Sequence, residues 1–153
     1  MSDNLEKKTT NGLILCVLYS VFFVILVSVD QLFKYLVVKK LALYEQADVI
    51  KNFFSFYYAQ NTGSAFSLFA DKPWGIYFLS GVSTVLGVVI FVFMIIACKN
   101  SMKLISLAFC LLSAGAVGNL IDRFRLKYVV DYLRFDFGSY TFPIFNFADM
   151  CAV

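Results

Sequence analysis

Three stretches of this chain carry no charge at all: Gly12–Val29, Trp74–Cys98 and Leu104–Ile121, of eighteen, twenty-five and eighteen residues. A helix rises about 1.5 Å per residue, so eighteen residues reach about 27 Å. That nearly crosses the ~30 Å hydrocarbon core of a bilayer. In lipid every backbone N–H and C=O needs an internal partner, which makes such runs helices. The rest of the composition agrees. Hydrophobic residues make up 61% and charged residues 15%, with eighteen Phe and nine Tyr. Soluble chains carry roughly 45–50% apolar and about 25% charged residues. One core of this size cannot hide so much apolar surface from water. A soluble enzyme, a disordered tail and a collagen-like fibre are therefore disfavoured. A net charge of +3, dispersed along the chain, is too weak a footprint for a nucleic-acid binder.

The remaining segments fit between these spans. Phe142–Val153 opens a fourth apolar segment but supplies only twelve residues, too few to span. The expectation is a chain cut before the rest of a fourth helix. The first run follows Lys7 and Lys8 in the manner of a signal sequence. It continues far past Cys16 and lacks small residues before it, so it reads as an uncleaved anchor. Asp30–Pro73 reads as an outer loop, aromatic over Val49–Phe69 and suited to strands or a headgroup-level surface. Val129–Phe137 alternates as a strand does, with Asp131, Leu133, Phe135 and Phe137 on one face. Cys16, Cys98, Cys110 and Cys151 lie in or beside apolar runs without metal spacing and read as buried free thiols. Charge does not orient the chain. A cytoplasmic N-terminus leaves Lys7, Lys8, Lys99 and Lys103 inside and nine basic residues outside, against the positive-inside rule.

The carboxylates carry the chemistry. Ionisable groups at a membrane boundary are expensive, and therefore functional candidates. With three spans, Asp30, Glu45, Asp48, Asp71, Asp122, Asp131, Asp136 and Asp149 all fall on one side. Asp30, Asp122 and Asp149 then sit at corresponding depths on different helices, and Asp131 lies on the strand between two of them. Asn119 and Asp122 are three apart on one helical face, and Asn146 and Asp149 repeat that spacing. Asn61 precedes Gly63, which permits a tight turn. Helix caps and a salt-bridged rim are the plain alternative. The chain has no His, so His triads and His metal sites are excluded. Two Asp side chains can still share a proton, because like charges a few ångströms apart cannot both ionise. One then activates water while the other binds and protonates, as in aspartic proteases. The spacing nominates Asp122 and Asp131 equally as the partner of Asp149.

Five blocks resemble one family in order: DQLFK at 30–34, NTGSAF at 61–66, GNLIDR at 118–123, VVDYL at 129–133 and FNFAD at 145–149. The chain is similar to lipoprotein signal peptidase, the signal peptidase II family. The resemblance implies an all-α integral membrane protein, a single peptidase domain over 1–153. Its fold would be a bundle of four transmembrane helices, the fourth truncated here, with a small extracytoplasmic β-like cradle. Both ends would be cytoplasmic, in the bacterial plasma membrane, with the active site near the outer face. It implies an aspartic endopeptidase that removes signal peptides from diacylglyceryl-modified prolipoproteins, cutting before the lipidated Cys. The catalytic pair would be Asp131 and Asp149. Asn61, Gly63, Asn119, Asp122, Arg123, Asn146, Asp30 and Lys34 would bind or support. Ser64 stands where the family often has Ala. No metal or organic cofactor is expected, and no nucleic acid. The partners would be the lipid-modified substrates and membrane lipids, the enzyme a monomer. A proton-coupled transporter and a structural membrane subunit are the rival readings. The presenilin type lacks its GxGD motif here.

Overall fold

The computed structural model describes residues 2–62 and 74–153. Helix α1 runs Ser2–Lys40, α2 Gly75–Lys99 and α3 Lys103–Leu126. Within these, Thr10–Lys40, Tyr77–Lys99 and Lys103–Leu126 are long and apolar enough to cross a membrane. Their outer faces carry large apolar side chains such as Leu13, Val24, Val85, Val88 and Leu104, each more than half exposed. In water that surface would be unsupportable; in lipid it costs nothing.

Helix α1 does not end at Val29, and the connection that follows it starts at 41, not at Asp30. Asp30 and Lys34 are buried within the helix at 1% and 3% exposure. Their charges look like a boundary in the sequence. In the fold they pair with each other and with α3, so the helix passes through them. Helix α3 likewise extends beyond Ile121 to Leu126, and Asp122 and Arg123 lie inside its last turns.

The polar end of this bundle carries an antiparallel sheet of order β1-β2-β3-β4, with β1 Gln46–Ile50, β2 Phe54–Asn61, β3 Val129–Phe137 and β4 Tyr140–Thr141. The alternating segment 129–137 is β3 from end to end. Gly138, at φ +64°, supplies the left-handed residue that turns β3 into β4. Between Phe56 and Ala59 the pairing of β2 with β3 slips by one residue. This bulge sets Ala59 opposite Asp131 and Asn61 opposite Val129. Without the extra residue Gln60 would stand opposite Val129, and Asn61 would leave the Asp131 face.

Two apolar clusters hold the parts together. Leu26, Met94, Cys98, Cys110 and Ala114 fill the bundle, with Cys16 and Cys151 packed against them; all four thiols are free. Val37, Tyr58, Val130 and Tyr132 bind the far end of α1 to the sheet. A short helix, α4 Phe147–Ala152, follows β4 and lies against α3. Glycine makes this approach possible. A Cβ at Gly115 would collide with the Ala148 carbonyl oxygen, and one at Gly118 would stand 2.7 Å from Asp30 Oδ2 and 3.0 Å from Ala148 Cβ. Gly81, by contrast, has open space around it.

Gly115→Ala is therefore expected to destabilise the fold by about 1–3 kcal/mol, the usual cost of overpacking. Gly81→Ala is expected to leave stability unchanged or raise it by up to about 1 kcal/mol, from helix propensity. Thermal unfolding of the two variants in the same detergent decides the matter; equal melting temperatures would contradict the α3–α4 contact.

Candidate active site

Four elements converge where the sheet meets the bundle. Strand β3 brings Asp131, β2 brings Asn61, α3 brings Asn119 and Arg123, and the start of α4 brings Asn146 and Asp149. All but Asn146, which lies fully buried beneath, line one cavity of about 470 Å³. Its remaining wall is apolar and includes Val129, Phe142, Pro143, Ile144 and Phe145. A smaller groove of about 260 Å³, between the far end of α1 and the first two strands, is lined by Phe33, Leu36, Val37, Lys40, Leu41, Ala47 and Phe56. It holds no carboxyl or amide side chain.

Asn146 joins the two carboxyl groups. Its Nδ2 donates to Asp131 Oδ1 at 2.7 Å and to Asn119 Oδ1 at 3.1 Å. Its backbone N–H donates to Asp149 Oδ2, and its Oδ1 accepts from the Asp149 N–H, both at 3.0 Å. The second pair of bonds is a capping box, the local reason the chain turns into α4 at this point. One side chain thus fixes α4 and holds Asp149 in register with Asp131. Asn61 Nδ2 donates to Asp131 Oδ2 at 3.0 Å, and Asn119 Nδ2 donates to Asp149 Oδ1 at 2.8 Å. Each carboxyl group is oriented by amide donors that bring no charge.

Burial first, and then the neighbouring Asp149, lift the Asp131 carboxyl to about 7 against the opposing pull of Asn61, Asn146 and Lys34. A large fraction of Asp131 therefore stays protonated near neutral pH, where an ordinary carboxyl is almost fully ionised. Charge balance favours this. Asp30, Asp122, Asp131 and Asp149 share the region with the cations of Lys34 and Arg123, so full ionisation would leave two negative charges uncompensated in a largely apolar setting.

Behind the cavity lies a second polar cluster. Lys34 Nζ meets Asp30 Oδ2 at 2.9 Å and Asp122 Oδ2 at 3.0 Å. Gln31 Nε2 lies 3.1 Å from Asp30 Oδ2, Asp122 Oδ1 and the Gly118 carbonyl. Asp30 Oδ1 accepts the Ala148 N–H at 2.9 Å, tying α1 to α4. Asp122 Oδ2 accepts the Val130 N–H at 3.1 Å, holding the strand residue next to Asp131. Asp122 is committed to this network, and it is Asp131 that lines the cavity. Spacing alone had left these two level. Gly63 lies outside the described residues. Gln31 was not singled out by sequence; a lone amide beside Asp30 gives no sign that its partners lie some ninety positions further on. Among the described residues no group of three or more Cys, Asp or Glu has the arrangement of a metal site.

The sequence pattern of the Signal peptidase (SPase) II family matches residues 22–153. The lipoprotein signal peptidase of Enterococcus faecalis is 43% identical over 141 residues, spanning 91% of this chain and 83% of that protein. That of Clostridium tetani is 37% identical over 131 residues, 85% of this chain and 81% of the other. A solved bacterial membrane enzyme, determined by the in meso method at 2.3 Å resolution, superposes with a TM-score of 0.74 at 29% identity, covering 90% of this chain and 79% of that one.

Asn146→Ala removes the cap of α4, which typically costs about 0.5–2 kcal/mol, and takes the shared donor from Asp131 and Asn119. The expected result is a lower melting temperature and faster hydrogen exchange at the Asp149 amide. Unchanged exchange there would contradict the capping box.

Proposed function

This chain belongs to the signal peptidase II family, and on that premise we propose that Asp131 and Asp149 form its catalytic pair. It is a protease that removes signal peptides from prolipoproteins; the transporter and structural-subunit readings fall with that assignment. The residue roles, the cleavage position and the face of the membrane are our reading. The observation that carries it is the shared cavity, in which two carboxyl groups sit in different environments yet are joined through Asn146.

In the proposed mechanism Asp149 is the base and Asp131 holds the proton. The Asp131 hydroxyl hydrogen-bonds the scissile carbonyl oxygen. Asp149 takes a proton from water as the water oxygen attacks the carbonyl carbon, and Asp131 protonates the carbonyl oxygen. As the tetrahedral intermediate collapses, the C–N bond breaks. The proton on Asp149 passes to the leaving nitrogen, and Asp131 recovers its own from a hydroxyl of the intermediate. The pair ends as it began and titrates as a unit. Arg123 beside the pair offers a planar fork for a backbone carbonyl or a headgroup oxygen.

The apolar wall suits the residues around the cleavage point. The substrate's signal helix would enter from the bilayer and its diacylglyceryl chains remain in lipid, with cleavage just before the lipidated Cys. We read the sheet as an extracytoplasmic cradle and α4 as the opening of a fourth helix, in the bacterial plasma membrane, with the pair near the outer face. The convergence of Asp30, Asp122 and Asp149 at the sheet end of the bundle supports this. No metal or organic cofactor enters the steps, and a monomer would suffice for them.

Asp131→Asn and Asp149→Asn are each expected to lower cleavage of a lipidated precursor by about 10²–10⁴-fold, the usual worth of a positioned acid or base. Folded Asp122→Asn is expected to keep at least about a tenth of wild-type activity, since Asp122 is outside the cavity. Full activity in either of the first two variants would overturn the pair.

The pH dependence follows from the raised Asp131. Its neutral form is the competent acid, so activity should fall as pH rises through about 7. The folded protein also binds this proton more tightly than the unfolded chain does. Its contribution to stability is fully present below the ordinary carboxyl value of about 4 and is lost as pH rises from there through about 7. A cleavage rate that climbs steadily from pH 6 to 9 would contradict the assignment.

A further inference from the structure

We infer that Lys34 is a positioning residue for the reaction, its ammonium forcing the Asn119 amide to present its N–H to Asp149. The inference rests on the reading of Asp131 and Asp149 as the reacting pair. Lys34 is 3% exposed, and its Nζ has three partners: Asp30 Oδ2 at 2.9 Å, Asp122 Oδ2 at 3.0 Å and Asn119 Oδ1 at 2.9 Å. An ammonium carries three donors and no acceptor. All three are used, and only the oxygen of the amide can face it. The amide is planar, so Nδ2 then points the other way, to Asp149 Oδ1 at 2.8 Å. Turning Asn119 over would set an NH₂ against an ammonium and a carbonyl against a carboxyl group. In an apolar site both contacts are strongly unfavourable.

A neutral residue at 34 would leave only the uncharged Asn146 Nδ2, 3.1 Å from Asn119 Oδ1, to bias the amide, a weaker hold than an ammonium gives. Asn119 could then turn its carbonyl towards Asp149, and the carboxyl group would lose a donor. The two carboxyl groups of Asp30 and Asp122 acquire a purpose here, since a lone buried ammonium would be costly. The linkage runs from α1 through α3 to α4, and Lys34 touches neither reacting carboxyl group directly.

A brace alone would leave the pH profile in place; a residue that sets the electrostatics of the pair would not. Asp131 is faced by Asp149 from α4, Arg123 from α3 and Lys34 from α1, with the uncharged Asn61 beside it on β2. Lys34 lowers the Asp131 pKa, so its loss should carry the alkaline limb of activity upward.

The test uses the full chain in detergent with a lipidated precursor peptide. Lys34→Met leaves two buried carboxyl groups unpaired, so it is combined with Asp122→Asn and compared with Asp122→Asn alone. The expected result is a kcat at least tenfold lower, a KM within twofold, and an alkaline limb moved to higher pH. Lys34→Arg, which keeps the cation, is expected to keep the limb where it is. A folded double variant whose kcat and pH limb match those of Asp122→Asn would overturn the inference. Should the double variant fail to fold, side-chain amide exchange in ¹⁵N-asparagine-labelled wild-type protein decides. Asn119 Nδ2 protons protected and shifting with the titration of the pair support it; freely exchanging, pH-insensitive protons refute it. Wild-type cleavage by Asp131→Asn would instead remove the pair itself, and the inference with it.

Discussion

An ionised group in an apolar bundle must be paired, hydrogen-bonded or neutralised, and this molecule uses all three solutions within one region. Lys34 pairs with Asp30 and Asp122. Asp149 takes its donors from Asn119 and from the Asn146 backbone at the head of α4. Asp131, held by the amide donors of Asn61 and Asn146, is driven towards its neutral form by burial and by Asp149. The same desolvation that makes the region expensive to build separates two like side chains into a proton holder and a proton acceptor. That separation is the physical content of the proposed chemistry.

The supporting architecture answers to this requirement. Asp149 is useful only if α4 starts in the right place, and Asn146, the Asp30 bond to the Ala148 N–H and the bare surfaces of Gly115 and Gly118 set that place. Asp131 is useful only if β3 presents it to the cavity, and the Asp122 bond to the Val130 N–H anchors the strand. The bulge in β2 then delivers Asn61 to the correct face. Asp30, Gln31, Asp122 and Asn146 hold backbone, and their effect on the chemistry is one of placement.

Some of this was legible in the sequence. Lipid tolerates only long uncharged runs, so the three long helices announce themselves. A half-buried strand must alternate, so β3 is readable from Val129 to Phe137. The ordered blocks named the family. Other features were hidden because they depend on contacts remote in sequence. Asp30 and Lys34 looked like the end of a helix, for their partners Asp122 and Ala148 are about ninety and one hundred and twenty positions away. Spacing alone does not rank Asp122 and Asp131, because only the tertiary fold puts one into an ion pair and the other beside the cavity. The extra residue in β2 leaves no mark, since the two adjacent tyrosines at 57 and 58 fit a regular strand equally well.

The central claim, a proton held on Asp131 by burial and by the neighbouring Asp149, can be read directly from carboxyl titrations in ¹³C-aspartate-labelled protein. The resonance lost in Asp131→Asn should titrate near 7, and its midpoint should fall when Asp149 is changed to Asn. A midpoint near the ordinary value of about 4, or one that ignores the substitution at 149, would contradict the account.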